Sequence, residues 1–293
     1  MESRIHIIGL VVPDLTDTHF ARVASGVARI MQPAGYTVLI SNSEGDAERE
    51  RQAVHLLLSC SQVEGIVLAS AQTPGETALF RQLEKHNMPF VLVDRDFPEV
   101  GANYVGADDE EIGAVATEHL IARGCRHIAH IEGPETSSGA ARSGGYVAAL
   151  RAHGLKSSPG YVVRGGTTDQ SGCAAMRELL AVNPRLDGVV CFNDAVAVGA
   201  IKAILEAGLR VPEDIAVVGA GNVHYSDLLR VPLSTVDQSS LLLGRTAAEL
   251  LLDSMEAKET QVPRRILFSP RLIARESSLR KNVAVQGRPP EPA

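Results

Sequence analysis

The sequence contains no tryptophan, and aromatic residues make up only 4% of it. Its core must therefore be built from valine, leucine, isoleucine and alanine. Only four cysteines occur (Cys60, Cys125, Cys173 and Cys191), far apart and with no CxxC pair. That spacing argues against a zinc ribbon or a redox dithiol, and a buried free thiol is the ordinary state of cysteines in apolar or helical text. No apolar run approaches the roughly 18 residues of a membrane span. The opening MESRIHIIGLVVP lacks a basic segment followed by a long apolar one, and Pro13 cuts its apolar run short, so it reads as a first strand rather than a signal peptide. These absences imply a soluble, cytoplasmic protein. Lysine and arginine never gather into a run, and a formal net charge of −7 argues against broad attraction to a nucleic-acid backbone.

What is present is alternation. At 293 residues the chain is long enough for about two domains. The apolar run from Ile5 to Val12 reads as a strand buried on both faces. Phe20, Val23, Val27, Ile30 and Met31 then recur at helical spacing until Gly35. Strands follow at 37–40, 65–69 and 90–94, with helices at 47–59 and 75–86 between them. After Tyr104–Gly106 the pattern restarts. Helices are expected over 108–123, 140–153, 169–182 and 195–207, and strands over 127–132, 161–164, 188–192 and 215–219. Two successive runs of this kind imply an α/β fold of two doubly wound parallel sheets, whose ligands sit beyond the carboxyl ends of the strands. The end of the chain differs, with a strand at 233–236, a long helix at 239–255 and strands at 265–268 and 272–275.

Tests for chemistry return little. VPEDIAVVGAGN runs a strand into Gly219-Ala220-Gly221, but no third glycine follows, and a lone GxG is a weak phosphate signal. No P-loop text occurs. Ser143 misses the GxSxG elbow by one residue and lies in helical text. His127 and His130 are three apart on a strand, point to opposite faces and cannot share a metal. The acidic run Asp108-Asp109-Glu110-Glu111 is accounted for by capping at a helix start. No catalytic residue, metal site or cofactor is expected, and the residues alone describe a two-lobed binding protein.

Several stretches together resemble one family: IIGLVVPDLTDTHFARVASGV, MPFVLVDRDF, YVGADDEEIGAVATEHLIARGCRHIAHIEGP, ARSGGYVAAL, FNDAVAVGAIKAILEAGLRVPEDIAVVG and PRLIARESS. They resemble the effector-binding core of the LacI/GalR family of bacterial transcription regulators, in order and over nearly all of 5–278. The resemblance implies the type I periplasmic-binding-protein fold, two Rossmann-like lobes joined by three crossover strands. It places 5–106 with 239–267 in the N-terminal lobe and 107–238 with 268–278 in the C-terminal lobe, leaving 279–293 as a disordered tail. It also implies a homodimer and a small polar effector (sugar, sugar acid or other anion) in the cleft between lobes, whose differential affinity for two lobe arrangements controls operator DNA. Operator binding itself belongs to a helix-turn-helix headpiece, and no such text precedes Ile5.

Carried over residue by residue, the effector pocket comprises His19, Phe20, Asp94, Arg142, Thr167, Asn193, Gly221 and Gln238. Phe20 fits core packing equally well, and Gln238 reaches either the ligand or only the hinge. Arg142 is the expected gripping cation, since its guanidinium can hold a carboxylate or paired hydroxyls. Asp194 fits a helix cap better. Thr167 stands where the family commonly has an aromatic ring, and Gly221 where it commonly has an acid. The wall is therefore expected to be smaller and less charged, with less negative charge near Arg142, which favours an anionic effector. The competing class is a solute receptor of an ABC importer, which shares the fold but needs an export signal. The text from Asn193 to Gly219 favours the regulator.

Overall fold

The computed structural model describes residues 6–257 and 262–280. Most of the tail expected over 279–293 lies outside the described residues, as does Ile5. The chain forms two six-stranded sheets with helices on both faces. The first sheet has the order β2–β1–β3–β4–β5–β11, with every neighbouring pair parallel. Its strands are β1 (His6–Val12), β2 (Tyr36–Asn42), β3 (Val63–Leu68), β4 (Phe90–Val93), β5 (Asn103–Ala107) and β11 (Arg265–Phe268). The second repeats that order as β7–β6–β8–β9–β10–β12. It is built from β6 (Ile128–Glu132), β7 (Val162–Arg164), β8 (Gly188–Cys191), β9 (Ala216–Ala220), β10 (Ser234–Asp237) and β12 (Arg271–Ile273), the last antiparallel to β10. The expected α/β class is borne out. The order twice reverses direction beside a first strand, and such a switch point opens a crevice at the strand ends.

The helices are α1 (Thr18–Met31), α2 (Ala47–Ser59), α3 (Ala78–Lys85), α4 (Asp109–Ala122), α5 (Ser137–Ala152), α6 (Asp169–Val182), α7 (Asp194–Glu206) and α8 (Ser240–Glu256). Two helices depart from the expected starts by three residues, for local reasons. Helix α3 begins at Ala78 rather than Gly75, because Gly75 sits at φ +90° in a turn. Helix α5 begins at Ser137 rather than 140, because the Thr136 side chain accepts the Gly139 amide and nucleates an earlier turn. The last strand spans Arg271–Ile273 rather than 272–275, because the Arg275 amide donates to the Ser234 hydroxyl and leaves the ladder.

Apolar side chains pack on both faces of each sheet, as the composition requires. Ile8, Leu10 and Val12 meet Val23, Val27 and Leu251 on one face of the first sheet, while Val11 meets Leu57, Leu79 and Phe80 on the other. In the second sheet Ile131 and Val189 pack with Met176 and Ile204. Ile128 and Val218 pack with Leu120 and Tyr146 on its other face.

Three helix pairs cross at reciprocal glycines. A methyl on Gly26 of α1 would overlap the Leu241 carbonyl oxygen of α8, and one on Gly244 would overlap that of Val23. Gly113 and Gly145 do the same for α4 and α5, against Arg142 and Glu110, and Gly172 and Gly199 for α6 and α7, against Val196 and Asp169. At each crossing the backbones touch, which fixes the helices' relative height as well as their separation. Gly244→Ala is expected to destabilise the protein by about 1–3 kcal/mol, since rigid backbone must move to make room. Urea unfolding would show this as a lower midpoint at an unchanged slope.

Candidate functional site

The eight residues expected at the pocket all line one cavity of about 210 Å3 at the carboxyl ends of the two sheets. Helix α1 starts there, with Asp17 accepting the His19 amide as its cap. His19 is buried, its Nε2 lying 2.8 Å from Asp94 Oδ1. Asp94 ends β4 in the left-handed region, at φ 68°. Phe20 is 7% exposed and packs in the core with Leu10 and Val12 while also lining the cavity. From the second sheet, Arg142 donates through Nη2 to Gln238 Oε1 at 2.6 Å, and Gln238 Nε2 faces His19 Nδ1 at 2.9 Å. Because Arg142 takes the amide oxygen, the amide nitrogen must face the imidazole. Asp94, His19, Gln238 and Arg142 thus form one polar chain across the cleft.

The charges in this chain are individually balanced. Burial, the largest single influence, lowers the His19 pKa, but the charge and hydrogen bond of Asp94, together with the charge of Asp17, outweigh it and hold the ring above its ordinary value. Burial likewise opposes ionisation of Asp94, yet His19, Arg95 and Arg142 together hold its pKa below the ordinary value. Arg142 is not the free cation expected. Its Nε donates to Asp109 Oδ1 at 2.8 Å, its Nη1 donates to the Phe192 carbonyl at 2.7 Å, and the guanidinium lies 4.6 Å over the Phe192 ring. The expectation of little negative charge near Arg142 is therefore corrected. Asp108 does cap α4 by accepting the Glu111 amide, but its neighbour Asp109 turns inward as an ion-pair partner.

The glycine stretch is corrected too. Asn193, not Asp194, caps α7, its Oδ1 accepting the Val196 amide while its Nδ2 donates to the Thr167 carbonyl. Asp194 is buried beneath β9, where its carboxylate accepts from the Val223 amide (2.9 Å), the Thr235 hydroxyl (2.5 Å) and the Ser226 hydroxyl (3.4 Å). A Cβ on Gly219 would overlap that carboxylate, and Gly221 holds φ 130° with Asp194 Oδ2 beside it. The glycines make room for an acid supplied by another strand end. The wall has kept a carboxylate.

Arg95 is the cation that sequence reading passed over. It follows Asp94 into the cavity, and its Nη1 donates to the Ser70 carbonyl at 2.8 Å. Its Nε is buried with no partner among the described residues. Burial lowers its pKa despite the charges of Asp94, Glu50 and Asp17. No group of three or more possible metal ligands occurs among the described residues. His119 is half-buried and bonded to Ser278 Oγ at 2.6 Å, away from the cleft.

Two sheets that meet over a polar cleft, with one hydrogen-bonded chain spanning it, define a two-lobed small-molecule sensor. Residues 117–278 match the periplasmic binding protein-like domain. The HTH-type transcriptional repressor PurR of Escherichia fergusonii is 33% identical over 274 residues, covering 92% of this chain and 79% of the relative. CytR of Escherichia coli is 31% identical over 259 residues, covering 88% and 74%. The structure of the transcriptional regulator CelR with cellobiose superposes with a TM-score of 0.85 at 30% identity, covering 94% of this chain and 86% of that one. The protein belongs to the LacI/GalR family of transcription regulators and constitutes an effector-sensing core. These relatives are regulators rather than enzymes or transport receptors.

Burial raises Asp194 from the ordinary 3.8 to about 6, its hydrogen bonds only partly opposing the shift. Between those values the folded protein holds a proton that the unfolded chain has released. This group's contribution therefore falls as pH rises through about 4 to about 6. Asp194→Asn should remove that part of the slope, read as the difference between variant and parent in urea midpoints across the window.

Proposed function

We propose that the cleft senses a metabolite of sugar-acid type, with its carboxylate on Arg95 and its hydroxyls on Asp94, Asn193 and Gln238. The observation that carries this reading is Arg95, which lines the cavity while its buried Nε has no hydrogen-bond partner among the described residues. A buried guanidinium N–H left without an acceptor is costly, and a ligand carboxylate relieves that cost. The cavity of about 210 Å3 is below the roughly 300–1,000 Å3 typical of drug-sized ligands, which favours a single sugar ring. His19 and Phe20 come from α1 beside the first sheet, and Arg142, Thr167, Asn193 and Gly221 from α5 and the segments after strands of the second, so a bound ligand biases the angle between two lobes. We place 5–106 with 239–267 in one lobe and 107–238 with 268–278 in the other. The readout, as for relatives named HTH-type repressors, is operator DNA through a headpiece.

Thermal-shift screening tests the ligand class, because a ligand at about 100 times its Kd adds about 2.7 kcal/mol of stability. Sugar acids should stabilise the parent, and Arg95→Met should abolish the response to acids. Stabilisation by neutral sugars alone, indifferent to Arg95, overturns the reading. Arg142→Ala is a poorer test, because it strands the buried Asp109 carboxylate and lowers stability by itself.

The same reading includes a homodimer. Leu228 is 79% exposed next in sequence to Leu229, which with Val198, Ile201, Leu205 and Val231 forms the apolar part of a groove edged by Lys202, Glu206 and Arg230. An exposed patch of this kind marks an association surface. Sedimentation should give a dimer for the parent and a monomer for Leu228→Glu combined with Val198→Arg. A monomeric parent would rule the dimer out.

A further inference from the structure

A second concavity, of about 610 Å3, lies outside the cleft between α1 and the first turns of α8. Arg22 and Arg29 line it from α1, Arg245 from α8, and His224 from the segment after β9. None of the three arginines forms an ion pair among the described residues. Among the described residues, the sole hydrogen bond from these guanidinium groups runs from Arg22 Nη1 to the Asn222 carbonyl at 2.9 Å. The one carboxylate in the wall, Asp237, is already engaged by Asn222 Nδ2 at 3.0 Å and the Ser239 amide at 2.8 Å. In a chain of net charge −7, this concentrates uncompensated positive charge in one concave place.

The rest of the wall supplies donors of the right kind. Helix α8 starts here, and its N-cap residue Ser239 makes no side-chain cap, so the first amides and the positive end of the helix dipole add to the arginines. Thr18, Ser25 and Ser239 contribute hydroxyls. The Gly26–Gly244 crossing locks α1 and α8 together and so fixes the walls relative to each other. Arg22 and Arg29 are two helical turns apart, about 10 Å, which is too far for one oxyanion to touch both. Arg245 lies between them, because a Cβ on Gly26 would abut the Arg245 amide.

We propose that this concavity is an anion site distinct from the effector cleft, holding a phosphoryl group between Arg22 and Arg245. The ligand is free phosphate or a phosphomonoester, whose oxygens suit forked guanidinium donors. Because His224 and Asn222 follow a strand of the second sheet while Arg22 and Arg245 flank the first, an occupant bridges both sides of the junction.

Calorimetry of the whole chain, with inorganic phosphate and glycerol phosphate as separate ligands and chloride at matched ionic strength as reference, tests the site. Both phosphates should bind where chloride does not, and the tighter of the two identifies the source. Arg22→Gln with Arg245→Gln should weaken binding about tenfold or more, the loss expected when charged hydrogen bonds disappear. Ser25→Glu, an exposed change that leaves the arginines in place, should weaken it as well by repulsion. Arg95→Met should leave it intact, which separates this site from the cleft. A response no larger than that of chloride overturns the proposal. So does binding that survives both sets of changes, or binding lost with Arg95.

Discussion

Two helix backbones can touch only where neither carries a side chain, and three helix pairs in this protein meet that condition with glycine on both partners. The polar contacts of the site lie about one to two turns from these crossings. His19 reaches Ser240 Oγ at 2.8 Å above the Gly26–Gly244 contact. Arg142 reaches Asp109 above Gly113–Gly145, and Asn193 reaches the Thr167 carbonyl above Gly172–Gly199. Long side chains lose rotamer freedom when held in one geometry. Backbone contact sets the distances between helix starts, so the side chains need only short reaches.

The cleft is accordingly close to electrostatic closure without a ligand. His19 offsets Asp94, Arg142 offsets Asp109, and hydroxyls and an amide satisfy Asp194. Such networks are stiff when every member has a partner, and they make an unsatisfied member conspicuous. Arg95 lines the same cavity with an Nε that has no partner among the described residues.

Much of the architecture was legible in the sequence because buried parallel strands read as unbroken apolar runs, and glycine or a capping residue punctuates the helices. The ranges of α2, α6 and β11 could be read to the residue. The weave of α8, β11 and β12 back through both sheets came only from family resemblance, since no local pattern encodes which sheet a strand joins. At the site the misses share one cause. Asp109 and Arg142 are 33 residues apart, and Asp194 and Thr235 are 41 apart. Beside a helix start, a cap explains an aspartate well enough to hide a long-range role. The crossing glycines were silent for a related reason, since a lone glycine inside a helix registers only as weakened propensity.

The return of α8 to the first sheet also bears on how the chain is made. Strands β1 to β5 leave the ribosome early, yet α1 offers Val23, Val27 and Met31 to a helix that begins at Ser240. Until that helix emerges, an apolar stripe of the first-made half has no cover. The second sheet, apart from β12, is contiguous in sequence and has its strands by Asp237. The half synthesised second is thus positioned to finish first, and the half synthesised first must wait, with its apolar face open, until α8 has emerged.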